Sequence, residues 1–191
     1  MQKLGSSEMN EAELPNDIAM FHHSSQAVLA FEFGIEVKSV TIEPDATGRT
    51  YTRLEPLKDY CDLRYPKSIW TLGQVECYVT TLLGGIVGRQ LRVEAHFGYK
   101  SKCTGQVTLH RRYLAKLRKY DEHDTDRAFA IALAWLKLKD RGNTLATLER
   151  LWKRARKNLQ TIKARRRLLV LNEHLAQSGT MTGRQVRNLF G

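Results

Sequence analysis

What this 191-residue chain lacks removes several classes of protein at once. No apolar run reaches the roughly 18–20 residues that a membrane-spanning helix needs. The opening MQKLGSSEMNEAELPND is too acidic and polar for a secretory signal, so no membrane attachment is expected and the cytoplasm is the expected location. Cysteine is limited to Cys61, Cys77 and Cys103, odd in number, far apart and without a C-x-x-C pair. That spacing argues against a disulfide framework or a zinc knuckle and predicts reduced thiols packed as small hydrophobes. No G-x-x-x-x-G-K-[ST] loop occurs, so no phosphate-cradling ATPase is expected within these residues and any unfolding power must come from elsewhere. Repeats and low-complexity tracts are missing too. Aromatics are thin among the basic residues, and Trp70, Trp135 and Trp152 read as core rather than as stacking platforms for bases.

What is present is a soluble composition, 42% hydrophobic and 27% charged, long enough for one principal domain. Its charge is lopsided. Residues 1–66 carry 6 Lys+Arg against 11 Asp+Glu, and residues 67–191 carry 25 against 9, for a net charge of +11. Such asymmetry fits two readings, a basic surface for a polyanion or an acidic segment folded back on a basic one.

The hydrophobic pattern predicts a mainly α protein with one small β hairpin after the first helix. Residues 1–14 lack periodicity and read as a loose arm ahead of a single domain, 15–191. A helix over about 17–33 starts at LPND, where Asn16 can cap the first turn and Asp17 suits its positive end. It carries Ile18, Phe21, Ser25, Val28, Leu29 and Phe33 at helical spacing and ends at Gly34. IEVKSVTIEP and GRTYTRLEP, separated by turn residues, read as the hairpin. Residues 69–97 are helical, with Leu72, Val75, Val79, Leu82, Leu83 and Ile86 on one side. Gly84-Gly85 interrupt them, each costing about 1 kcal/mol relative to alanine, and close helix packing is the usual reason. A short helix from Thr108 and another over 122–139 follow. A long basic helix is predicted near 144–177, with Leu145, Leu148, Trp152, Ala155, Leu159, Ile162, Leu169 and Leu175 on its buried stripe. TMTGRQVRNLFG reads as a short docked helix.

In this order the elements resemble the peptidase domain of FtsH-type ATP-dependent zinc metalloproteases. HHSSQAVLA stands where that family has H-E-x-x-H-A-x-x-A, and VKSVTIEPDATGRTYT resembles its following strand pair. LLGGIVGRQL is similar to L-x-G-G-R-x-A-E, HDTDRAFAIA to N-D-[IL]-x-x-A, and LLVLNEHLAQSGTMTGRQVRNLF to the closing helix-turn-helix. The likeness spans roughly 14–190.

The resemblance places His22 at the first zinc-binding histidine, His23 at the catalytic glutamate, Gln26 at the second histidine and Asp124 at the carboxylate ligand. Two of four chemical groups are retained. Zinc catalysis needs two imidazoles one helical turn apart, about 2.0–2.1 Å from a shared Zn²⁺, and a base for the bound water. Gln26 offers only an amide, and Arg89 stands where the family has a carboxylate. No cofactor is therefore expected. If His22, His23 and Asp124 keep a vestigial metal, zinc is the one implied.

The other candidate surface is RLWKRARKNLQTIKARRRLL. Residues 141–191 hold 12 Lys+Arg against 2 Asp+Glu. On a helix Arg150, Arg154, Arg156, Lys157, Lys163, Arg165 and Arg166 form a cationic ribbon about 30 Å long, either a solvated face or a surface for an acidic protein or for nucleic acid. Arg165, Arg166 and Arg167 cannot all point outward, so at least one is expected to turn into the domain.

Three functional expectations follow. The leading one is a catalytically inactive FtsH-peptidase-like domain that binds a protein partner or acts as a scaffold. The alternative is a basic nucleic-acid-associated module on the same frame. The third is an unorthodox zinc metallohydrolase using His22, His23 and Asp124. The sequence leaves the oligomeric state open.

Overall fold

The computed structural model describes residues 14–44, 46, 50–54, 72–97 and 144–191. These are mainly helical: α1 (Leu14–Glu32), β1 (Val37–Thr41), β2 (Tyr51–Leu54), α2 (Leu72–Phe97), α3 (Thr144–Leu159), α4 (Ile162–Ser178), β3 (Thr180–Thr182) and α5 (Gly183–Phe190). The sequence elements expected from Thr108 and over 122–139 lie outside the described residues, as do the arm over 1–13, Cys61, Cys103, Trp70, Asp124 and Trp135.

α1 is the centre of the domain. From His23 to Ala30 every residue is buried, because α2, α3, α4 and both strands of the hairpin pack around it. Small side chains, Ser24, Ser25, Ala27 and Ala30, let that many neighbours approach. The helix opens at Leu14, ahead of the expected cap at Asn16, with Pro15 in the first turn, where a missing N–H breaks no helical bond. It closes in the expected place. Gly34 has φ of 69°, its N–H donates to the Phe31 carbonyl, and the Ile35 N–H reaches back to Ala30 at 2.8 Å, the paired bonds of a Schellman ending.

The hairpin is present and larger than expected. β1 pairs antiparallel with β2, Val40 opposite Thr52, and on its other edge with β3, Val40 opposite Met181, giving a three-stranded sheet of order β2-β1-β3. The docked C-terminal segment is thus a strand followed by a helix. Thr182 caps α5 in a reciprocal capping box with Gln185.

α2 crosses α1 closely, and the glycines are the reason. A Cβ on Gly84 would lie 2.5 Å from Leu29 Cδ1, and one on Gly88 would overlap the Ser25 hydroxyl. Ser25, Gly84 and Gly88 therefore set the separation of the two helices.

The single long helix expected over 144–177 is corrected to two. α3 ends at Leu159, and α4 restarts after Thr161, whose extended backbone and side-chain oxygen, accepting from the Ala164 N–H, form an N-cap. The break changes the helical phase. Leu148, Trp152, Ala155 and Leu159 are buried as expected on α3, but α4 buries Ala164, Leu168, Leu171, Asn172 and Leu175. Ile162 and Leu169, expected on the buried stripe, are 74% and 58% exposed.

Candidate functional site

The motif HHSSQ lies on the buried middle of α1, where it faces α2 on one side and β2 on another. His23 points to the hairpin. Its Nδ1 is 3.2 Å from Thr52 Oγ1 and its Nε2 is 2.7 Å from Thr50 Oγ1. The Thr52 hydroxyl also donates to the His23 carbonyl at 3.1 Å. A hydroxyl has one proton, so Thr52 Oγ1 accepts from Nδ1–H, and the neutral ring then accepts the Thr50 proton at Nε2. Both ring nitrogens are occupied. Burial holds the His23 pKa down at about 4, which keeps that tautomer uncharged near neutrality.

His22 points to α2. Its ring lies over Gly85, where a Cβ would come within 2.5 Å of Nε2, and meets His23 edge-on with centroids 4.9 Å apart. Its pKa is lowered to about 3, first by burial, then by the positive charge that His23 would carry, then by Arg89. Gln26, which stands where the resemblance has its second zinc-binding histidine, is 2% exposed and its Nε2 donates to the Leu82 carbonyl of α2 at 3.3 Å.

These residues do not fit a zinc ion. His23 has no ring lone pair free to coordinate, Gln26 is turned onto a backbone carbonyl, and the field of Arg89 that disfavours a proton on His22 disfavours a divalent cation as well. Among the described residues no three His, Cys, Asp or Glu side chains gather as metal ligands. Asp124, the remaining expected ligand, lies outside them. Thr50 and Thr52, the residues that fix His23, were not singled out by the sequence. β2 could be recognised, but nothing local shows which face of it meets α1.

The basic segment divides in two. Arg150 grips Glu76 through both guanidinium nitrogens, at 2.5 and 3.2 Å. Arg156 holds the buried Glu94 in the same way. Arg154 stacks 4.8 Å above the Phe33 ring and reaches Cys77 Sγ at 3.5 Å. These three, expected on a free ribbon, instead make contacts within the chain, Arg150 at the surface with its side chain 55% exposed and Arg154 and Arg156 partly buried. Arg167 is the arginine that turns inward. It pairs with Glu32, donates to the Phe190 carbonyl at 2.8 Å and lies against the Phe31 and Phe190 rings. Asp17 with Arg92 and Glu36 with Arg187 add further ties between the acidic first part and the basic second.

Lys157, Lys163, Arg165 and Arg166 of the expected ribbon remain on the exposed faces of α3 and α4, together with Lys153, which was not on it. At the elbow, Lys153, Arg156, Lys157, Gln160 and Thr161 line an open concavity of about 310 Å³. No helix among the described residues is long and apolar enough to cross a membrane.

Set against known proteins, the chain matches no family model, and no curated protein matches it significantly.

Proposed function

We propose that this chain is a catalytically silent domain of the FtsH-peptidase type that works by binding a protein partner. The observation that carries the reading is the engagement of His23: where the resemblance expects a glutamate free to take a proton from water, an uncharged imidazole is held between two threonine hydroxyls. A general base must reach its proton with a free lone pair. This ring has none free, and the adjacent His22 is packed against Gly85. The same side chains contribute to packing between α1, α2 and β2, which explains how the frame persists without the chemistry. A metal-dependent hydrolase built on His22, His23 and Asp124 is disfavoured on the same grounds.

The polyanion reading is favoured by the exposed cations of α3 and α4 but weakened by the internal use of Arg150, Arg154 and Arg156. A phosphate-tracking surface would show binding that falls steeply with salt.

The test is direct. The full chain, purified without chelator, is assayed for bound metal and for cleavage of an unfolded protein substrate with and without added Zn²⁺. The expected result is no zinc-dependent cleavage. Stoichiometric zinc and turnover, both lost in His22→Ala, would overturn the proposal.

A further inference from the structure

We infer that the outer face of α4 is a docking surface for an acidic amphipathic helix of a partner protein, an inference that rests on the protein-binding reading above. The large hydrophobic side chains exposed among the described residues are Leu72, Ile162, Leu169 and Val170, and three of these four sit on α4. At about 100° per residue, Ile162, Leu169 and Val170 fall within roughly 100° of arc, two turns long, on the side opposite Ala164, Leu168, Leu171 and Leu175. The stripe is therefore a second apolar face, created by the break at Gln160 and Thr161 that rotates α4 relative to α3.

The charges around the stripe identify the occupant. Arg166 lies between Ile162 and Leu169 on the helix surface, Arg165 to one side and Lys163 to the other, all exposed. Among the described residues these three have no carboxylate partner, whereas Arg150, Arg156 and Arg167, from the same run of sequence, each hold a glutamate. The exposed Glu173 closes the C-terminal end of the stripe, one turn beyond Leu169, so the cations predominate over its N-terminal two turns, three against one carboxylate among the described residues. Aliphatic side chains flanked in this way complement a helix that presents leucine-like residues at i, i+3 or i+4 and i+7, with Asp or Glu facing Lys163, Arg165 and Arg166. A phosphate backbone has no use for the aliphatic centre, and the large exposed hydrophobics among the described residues include no aromatic ring on which a base could stack.

The experiment places a photo-crosslinker, benzoylphenylalanine, at Leu169 in one form of the full chain and at the exposed Arg184 of α5 in another. Each is irradiated in the native host, and the adducts are digested and sequenced. The expected adduct at 169 is a protein segment with carboxylates flanking apolar residues at helical spacing. A synthetic peptide of that segment should bind the wild-type chain at least tenfold more tightly than Leu169→Ser or the pair Arg165→Glu and Arg166→Glu. All three positions are exposed, so the variants should fold, which circular dichroism checks. Adducts at 169 with nucleic acid or lipid, or a captured segment without acidic residues, would overturn the inference. Protein adducts at 184 but not at 169 would overturn it while leaving the protein-binding reading standing, and no protein adduct at either position would remove both.

Discussion

The side chains of His22 and His23 convert pH into stability. Each is neutral in the folded chain, with its pKa lowered to about 3 and about 4, whereas an unfolded histidine titrates near 6.5. Above pH 6.5 neither state takes up a proton there, and the two residues give no pH dependence. Between pH 6.5 and about 4 only the unfolded state gains the protons, so the folded state loses stability as pH falls, on the order of 2 kcal/mol per histidine by pH 5. Urea unfolding from pH 7.5 to 5 should show that decline, and His23→Gln, which keeps polar atoms near Thr50 and Thr52 but cannot titrate, should flatten it by about half. A variant curve parallel to the wild type would mean that His23 titrates in the fold as it does in the unfolded chain. The sequence makes the two histidines conspicuous and allows an ordinary buried or half-exposed pair, but it does not show the tautomer of His23, because the threonines that decide it lie 27 and 29 residues away.

Among the elements, the crossing of α1 over α2 is where a single methyl group matters most. Gly88→Ala would push a Cβ into the Ser25 side chain, and overpacking of a close-packed contact costs about 1–3 kcal/mol. Ser25 is fully buried with a hydroxyl that has no hydrogen-bond partner among the described residues, so Ser25→Ala should be neutral or slightly stabilising. The double variant should recover part of the glycine penalty, a coupling that equilibrium unfolding of all four proteins would measure. Additive effects would place the penalty on the Ser25 Cβ and the Phe21 carbonyl, which the added methyl would also meet at 2.6 and 2.7 Å, rather than on the hydroxyl. The reason for the glycines was readable beforehand, since paired glycines in an apolar helix need a close neighbour, and α1, β1 and β2 were legible from period and turn residues alone. β3 was not. Three residues carry no periodicity, and the strand exists because β1 offers a free edge far away in sequence. The split between α3 and α4 was hidden for a different reason. Leu159 and Ile162 continue the helical spacing smoothly, and only Thr161, a good N-cap residue, marks the restart. Missing that break placed Ile162 and Leu169 in the core and concealed the outer apolar face of α4.

At the scale of the whole molecule, part of the lopsided charge of the sequence is used internally among the described residues. Asp17, Glu32 and Glu36 from the acidic part hold Arg92, Arg167 and Arg187 from the basic part, and Glu76 and Glu94 on α2 hold Arg150 and Arg156 on α3. The three consecutive arginines of α4 show the division at its sharpest. Arg167 joins the end of α1 to the end of α5 through Glu32, the Phe190 carbonyl and two aromatic rings, whereas Arg165 and Arg166 touch no carboxylate among the described residues. Arg167 is largely buried although Glu32 is exposed, so its removal is felt mainly through the lost charge-assisted bond to the Phe190 carbonyl and the lost packing on two rings, about 1.5–3 kcal/mol. Arg167→Met should therefore lower the unfolding midpoint sharply, and Arg167→Lys should restore little of it, since an ammonium lacks the planar fork that reaches carboxylate and carbonyl together. Arg166→Met should leave the midpoint where it is and instead weaken partner binding. Equal loss of stability from the two methionine variants, measured by urea unfolding, would mean that the basic run is one undivided surface and that the separation of internal from external arginines is wrong.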